Sequence, residues 1–462
     1  MRYVSTRGGG EPQGFFDVLL GGLAPDGGLY LPDTWPQLPP LDELRGRPYA
    51  EVAAEVMWPF VREDVERPEF DRLVADTYAV FDHPDVCPVR DLGDGLYLTE
   101  LYRGPTLAFK DVALQLVGRL FEVALRRRGR RLTVLGATSG DTGSAAMEGC
   151  RTTELVEVFI LFPDGRVSEV QRRQMTTLGE PRLHPVAVDG DFDDCQRLVK
   201  AAFADEAFRA EVNLGAVNSI NWARVMAQIV YYVSSHLAVS PDGSPVSFAV
   251  PTGNFGNVFA GWAARSMGLP IDKLVVASNR NDVLVRFLDT GAMESAEVLA
   301  TTSPSMDVGV SSNFERLLFE TGGRNGALCA EMMVTFSDRG TYRVSPAVHR
   351  SITDRFDGVR VDEDDVAATI AAWHGRGVEL DPHSAIGLYA GERRRKPGVP
   401  MVALATAHPA KFPDAVEAAT GVRPQLPERL ADLLDRPERF DSVGAGLAQV
   451  QDLMRRHAAD GR

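Results

Sequence analysis

Lysine is scarce in this chain of 462 residues. Lysine and arginine together number 49, and only Lys110, Lys200, Lys273, Lys396 and Lys411 are lysine. A position that needs positive charge alone is served by arginine. A position that needs an amine able to lose its proton is not, because a guanidinium stays protonated. Each lysine therefore carries information that it would not carry in a lysine-rich chain. Cysteine is scarce too: Cys87, Cys150, Cys195 and Cys329 stand far apart and form no C-x-x-C pair. That spacing excludes a disulfide framework and a zinc ribbon, and it fits a reducing compartment. Positive charge is in deficit, with a formal net charge of −15, which argues against nucleic acid or an anionic membrane as the main partner. An anionic ligand would need a locally positive site against this background. No apolar run is long enough to span a bilayer. No apolar segment follows Met1-Arg2-Tyr3-Val4-Ser5-Thr6-Arg7, so a secretory signal is not expected and a cytoplasmic location is. No residue set with metal-ligand spacing is apparent, and no metal is expected.

The length predicts two or three domains. Residues 1–95 read as an N-terminal unit, with a glycine-rich turn region at 21–32 and helical patterning over 49–81. From about residue 96 short apolar runs alternate with amphipathic stretches. Runs at 132–135, 158–162, 186–188, 246–250, 274–277 and 399–405 read as strands, each followed or preceded by a helical stretch. This alternation predicts α/β domains with parallel or mixed sheets, and the fully apolar runs fit sheets covered on both faces. The expected division is 1–95, 96–230, 231–430 and a helical tail over 431–462.

Four segments could carry chemistry. In Pro105-Thr106-Leu107-Ala108-Phe109-Lys110-Asp111, one amine sits among apolar neighbours at the start of a helix. Burial and a helix N-terminus both favour the neutral amine that imine formation requires; read alone, the segment is more simply a lysine snorkelling from a helix start. Pro251-Thr252-Gly253-Asn254-Phe255-Gly256-Asn257 joins a strand to a helix, where backbone N–H groups can converge on an anion. It lacks the lysine of a Walker loop and the full dinucleotide fingerprint, and a plain turn remains the alternative. Gly136-Ala137-Thr138-Ser139-Gly140-Asp141-Thr142-Gly143 makes a similar junction, open to an anion or to simple helix capping. Late in the chain, Thr406-Ala407-His408-Pro409-Ala410-Lys411 follows a strand, the position where open α/β sheets place ligands. Lys200, Lys273 and Lys396 read as surface residues.

Taken together and in order, these segments resemble threonine synthase. The resemblance runs nearly the whole chain. It includes the N-terminal block (Met1 to Gly8, Leu23 to Tyr30), the stretch from Val217 through Asn218-Ser219-Ile220-Asn221-Trp222-Ala223 to Arg224, and Asp381-Pro382-His383-Ser384-Ala385. It implies the tryptophan-synthase-β-like fold (fold type II) of pyridoxal 5'-phosphate enzymes, with two α/β domains and an N-terminal domain of the threonine synthase type. It implies a Schiff base on Lys110, a cofactor-phosphate loop of Gly253, Asn254, Phe255, Gly256 and Asn257, and Thr406 facing the pyridine nitrogen. Ser139, Gly140, Asp141 and Thr142 would line the substrate carboxylate. Asn218, Asn221, Arg224, His383 and Lys411 are candidates for the substrate phosphate. The family pattern often has aspartate where Asn257 stands; since the backbone N–H does the cradling, little effect is expected.

The activity implied is conversion of O-phospho-L-homoserine and water to L-threonine and phosphate, in a chain that is cytoplasmic and, by subgroup, monomeric. Lys110 would serve as anchor and as general base. A hydroxyl such as Thr406 is a weaker partner than an acid, so a neutral ring nitrogen is expected. The alternatives are a dehydratase-like or cysteate-synthase-like enzyme of the same fold, and a cofactor-binding homologue without activity.

Overall fold

The computed structural model describes residues 1–215 and 218–460. Val217, at the head of the 217–224 stretch, and the last two residues of the tail lie outside the described residues. The chain forms two compact units, each assembled from separated stretches. No helix among the described residues is long and apolar enough to cross a membrane.

The first unit comprises Met1–Val18, Leu23–Ala113 and Ser219–Pro424. Its six-stranded sheet has the order Phe356–Arg360, Ile271–Ser278, Val246–Pro251, Met401–Ala405, Leu96–Glu100, Val89–Gly93. Neighbours run parallel, except for the antiparallel last pair. Val246–Pro251 and Met401–Ala405 are buried along their whole length, as a parallel sheet with covered faces requires. The helix Trp222–Val239 is buried on nearly every side; its mainly apolar composition suits a helix enclosed by protein rather than one at the surface.

The N-terminal block belongs to this unit. Tyr3–Ser5 pairs antiparallel with Tyr30–Pro32, and helices Tyr49–Val61 and Arg67–Tyr78 follow. Two adjacent residues of helix Phe314–Thr321 bolt the block in place. The buried Glu315 carboxylate accepts from the Thr6 hydroxyl at 2.5 Å and from Arg7 Nε and Nη2, both at 3.0 Å. The fully buried Arg316 donates to the carbonyls of Tyr30 (3.0 Å) and Ile220 (2.6 Å). Charge-assisted bonds of this kind are the stronger class of hydrogen bond.

The second unit comprises Leu19–Gly22, Leu114–Asn218 and Gln425–Arg462. Its sheet has the order Asp441–Gly444, Leu183–Asp189, Val156–Pro163, Leu132–Ala137, Leu214–Gly215 and is parallel throughout. The tail, expected to be helical, supplies the edge strand Asp441–Gly444 as well as the helix Leu447–Asp460. Four residues with one apolar side chain give no strand signal by themselves; pairing with Leu183–Asp189 creates the strand. Val450, Leu453 and Met454 of the helix then bury against Phe159, Val186 and Leu198. Within this unit two helices cross without side chains between them. A Cβ on Gly149 would stand 2.3 Å from the Leu114 carbonyl oxygen, and one on Gly118 would stand 1.9 Å from that of Gly149.

Candidate active site

Lys110 opens the helix Lys110–Arg128 and is 7% exposed. The turn before it is held by Asp111, fully buried, which accepts from the Thr106 N–H at 2.8 Å and the Thr106 hydroxyl at 2.7 Å. Gly104 lies so close to Asp111 that a Cβ there would meet the Asp111 Cβ at 2.4 Å. Leu107 adopts φ +63°, an unfavourable region for a branched side chain and a mark of a segment constrained by its surroundings. The surroundings are the strand end at residues 405–408. Phe109 N–H donates to the Thr406 carbonyl at 2.8 Å, and His408 N–H to the Leu107 carbonyl at 3.0 Å.

Thr406 is thereby fixed beside the lysine segment. Its N–H donates to Ser384 Oγ at 3.0 Å, and its hydroxyl makes no hydrogen bond to another described residue. Lys411 is completely buried and donates to the Thr106 carbonyl at 2.7 Å. It steadies the Lys110 turn from the other side. Lys273 and Lys396 form ion pairs with Asp357 and Asp272.

The segment at 253–257 has the properties of an anion cradle. None of the five backbone N–H groups of Gly253, Asn254, Phe255, Gly256 and Asn257 donates to another described residue. The carbonyls, by contrast, are engaged. That of Gly253 accepts from Ser311 Oγ at 2.7 Å, and that of Asn254 from Asn313 N and Nδ2 at 3.1 and 2.9 Å. Phe255 takes a left-handed conformation (φ +62°) at the N-cap of helix Gly256–Ser266. Asn257 Oδ1 accepts from the hydroxyls of Tyr231 (2.6 Å) and Tyr232 (2.9 Å), which leaves Nδ2 buried without a partner. A row of N–H groups without protein partners at a helix N-terminus fits a phosphate ester.

Sequence reasoning missed the residue that joins these parts. Ser305 lies in the short turn Pro304–Met306. Its hydroxyl is 3.4 Å from Lys110 Nζ, and its carbonyl oxygen is 2.9 Å from where a Cβ on Gly253 would stand. Its N–H donates to His383 Nε2 at 3.2 Å. His383 Nδ1 in turn faces Asp381 Oδ2 at 2.6 Å. The turn is braced by Asp307, whose carboxylate accepts from Thr301, Asn279 and Asn281 at 2.7 to 2.9 Å. Burial pushes the Asp307 carboxyl above its usual range. The only signal in the sequence is a polar run between two helices, which many loops share.

Arg224 stands in the first turn of helix Trp222–Val239, whose N-cap is Asn221, with the Asn221 side chain accepting from Ala223 N–H at 3.0 Å. Arg224 is 3% exposed, and its Nε and Nη1 have no partner. Burial pushes the guanidinium down to about 10. A buried, unpaired cation at a helix N-terminus has the charge and the dipole that an anionic ligand would require.

In the second unit, Thr138 Oγ1 accepts from the N–H groups of Gly140 (2.9 Å) and Gly143 (2.8 Å). Gly140 has φ +137°, and a Cβ there would meet Gln171 at 2.3 Å. Asp141 is buried and accepts from Gln171 Nε2 at 2.9 Å, while Ser139 and Thr142 are half-buried. Asn218 Oδ1 is buried without a partner. Also in this unit, His184, Asp441 and His457 bring ligand-type atoms within 4.8 Å of one another. Contacts within the unit account for the group: His184 pairs with Glu157 at 2.6 Å and stacks on Phe159, and His457 approaches Asp441 at 3.3 Å.

With this geometry in hand, likeness to known proteins covers both ends and the middle of the chain. Residues 2–78 match the family described as threonine synthase N terminus, residues 87–347 that described as pyridoxal-phosphate dependent enzyme, and residues 384–454 that described as threonine synthase, C-terminal. A threonine synthase of Pseudomonas aeruginosa is 50% identical over the full length of both chains. The crystal structure of PLP-bound threonine synthase from Brucella melitensis superposes with a TM-score of 0.97 at 48% identity, covering 99% of each chain. The yeast threonine synthase structure superposes with a TM-score of 0.94 at 37% identity, again covering 99% of each.

Proposed function

This chain belongs to the threonine synthase family of pyridoxal-phosphate-dependent enzymes, and from that premise we propose that Lys110 and the loop at 253–257 carry its conversion of O-phospho-L-homoserine and water to L-threonine and phosphate. The observation that carries the assignment is the run of five unpartnered N–H groups, packed at Gly253 on Ser305, whose hydroxyl lies beside Lys110 Nζ.

In this reading Lys110 anchors the cofactor, residues 253–257 hold its phosphate, and the Thr406 hydroxyl faces its pyridine nitrogen. Bound pyridoxal phosphate supplies a sink for the electron pair left on the substrate carbon. Lys110 Nζ would remove the α-proton and return it at the end. Arg224 Nε and Nη1 receive the substrate phosphate. They stabilise its charge as it leaves, in a setting where few other groups screen it. Asn221 fixes the helix start that presents Arg224. Lys411 acts through Thr106, and His383 through Ser305, so both hold the lysine segment rather than the phosphate. In the second unit, Ser139, Gly140, Asp141 and Thr142 form the substrate-carboxylate loop. The acidic balance and four buried free cysteines support a reducing, cytoplasmic setting and a small molecule rather than nucleic acid as ligand, while a monomeric state rests on the family resemblance alone.

The test is phosphate release from O-phosphohomoserine, coupled to threonine detection. Lys110→Ala should lower kcat by orders of magnitude, since one amine serves as anchor and base. Turnover unaffected by Lys110→Ala, or ammonia release in place of threonine, would overturn the assignment.

A further inference from the structure

We propose that Ser305 is a positioning residue for Lys110, orienting its amine through a hydroxyl that Asp381 and His383 hold in place. The proposal rests on the reading that Lys110 is the cofactor-bearing amine. A hydroxyl accepts from an ammonium or a neutral amine, and it can also donate to the latter. It therefore serves the lysine in both protonation states, and unlike a carboxylate it brings no negative charge that would favour the ammonium. By accepting one N–H of the neutral amine, Ser305 Oγ restricts where its single lone pair points. The separation of 3.4 Å is long for such a bond, so the position of the serine backbone decides whether it forms.

That position is set from both sides. His383 Nε2 accepts the Ser305 N–H, which requires the imidazole proton to be on Nδ1. Nδ1 faces Asp381 Oδ2 at 2.6 Å, and Asp381 is fully buried. The other carboxylate oxygen accepts from the Ser384 N–H at 2.9 Å and from the Ser384 hydroxyl. Asp381 is thus held as an acceptor and selects the tautomer. The Ser305 carbonyl packs where Gly253 has no side chain, so the same residue that meets the lysine also meets the anion cradle. A shift of the turn would move both registers at once.

Three variants test this in the cofactor-loaded enzyme and in cofactor-free protein. Ser305→Ala removes the hydroxyl and keeps the N–H that His383 accepts. It should lower kcat about tenfold with the KM for O-phosphohomoserine within about twofold, because misplaced reacting groups cost rate more than affinity. Capture of added pyridoxal phosphate by cofactor-free protein, followed by absorbance at one fixed pH, should slow by a similar factor. Ser305→Thr restores a hydroxyl and should recover most of both. Asp381→Asn favours the opposite tautomer, which sets an imidazole N–H against the Ser305 N–H; it should reproduce the Ser305→Ala losses. Wild-type kcat and capture rate in Ser305→Ala overturn the proposal, as does a Ser305→Thr variant no better than alanine or an Asp381→Asn variant with wild-type kinetics. Lys110→Ala, run alongside, separates the two readings. If it still forms the covalent chromophore, the assignment of Lys110 fails; if it does not, a silent Ser305→Ala refutes only the positioning role.

Discussion

Replacing Arg224 by methionine should make the cofactor-loaded protein harder to unfold. The guanidinium is buried with Nε and Nη1 unpartnered, and burial moves it from its ordinary value down to about 10. At about 1.4 kcal/mol per unit, that displacement corresponds to roughly 3 kcal/mol of cost to the charged form. Methionine has similar reach and no charge, and exchanging a buried charge for a packed apolar side chain often stabilises by about 1–4 kcal/mol. The sign with pH follows from the depressed value. The folded state holds the proton less tightly than the unfolded chain, so the penalty is complete below pH 10 and is relieved as pH rises above it. Between pH 6 and 9 the advantage of the variant should therefore be flat. Urea unfolding followed by tryptophan fluorescence measures it, in holoenzyme so that the 253–257 loop is already filled. Inorganic phosphate should then stabilise the wild type alone, by about 2.7 kcal/mol at a hundredfold excess over its Kd, and close the gap. An Arg224→Met protein that is less stable than wild type without phosphate, and that responds to phosphate as wild type does, would refute both the cost and the anion site.

Gly253→Ala places a Cβ 2.9 Å from the Ser305 carbonyl oxygen and 3.1 Å from Met306 Cα, so the loop must shift; cofactor retention on dialysis, read by absorbance, should fall at least about tenfold, a loss of roughly 1.4 kcal/mol. The four cysteines are free and buried, and burial pushes each thiol up to about 12. A thiol-specific chromogenic reagent at pH 8 should find none of the four promptly in the native protein and all of them after denaturation, since the thiolate is the reactive form; fast labelling of any native cysteine would contradict this. Gly149→Val sets a side chain against the Leu114 carbonyl at 2.3 Å and should cost about 3 kcal/mol or more in thermal or urea unfolding; a stability within about 1 kcal/mol of wild type would show that the helix crossing yields easily.

Much of the candidate site can be proposed from the sequence because it lies in short contiguous segments. A lone amine at a helix start and a glycine-rich strand-to-helix junction each carry their chemistry locally. The structure places Lys110 at its helix start and residues 253–257 at the head of theirs. The helix Phe192–Ala204 carries its signal locally as well, with a capping aspartate at 191 ahead of its first turn. What could not be read depends on separations that no local pattern encodes. Ser305 meets His383 across 78 residues and Lys110 across 195. Lys411 and His383 are candidates for the substrate phosphate by sequence; the fold adds that Lys411 donates to the Thr106 carbonyl and that His383 stands between Asp381 and Ser305. Likewise, nothing in Asp441-Ser442-Val443-Gly444 announces a strand, because its edge position leaves one side without a partner and asks for no apolar run.

The order of the six-stranded sheet bears on how the chain is made. Strand Met401–Ala405 lies between Val246–Pro251 and Leu96–Glu100, yet it is synthesised about 300 residues after the latter. At roughly 5–20 residues per second, the ribosome leaves that gap unfilled for about 15–60 s. During this interval Leu96–Glu100 has only the short antiparallel Val89–Gly93 for company, and the flank of Val246–Pro251 that 401–405 will cover stays open. A nascent chain in this state presents apolar strand edges to its surroundings, so a holdase that covers strand edges should raise the yield of folded protein. A release signal placed before residue 401 should give an insoluble fragment, even though Lys110 and the whole 253–257 loop have already been translated.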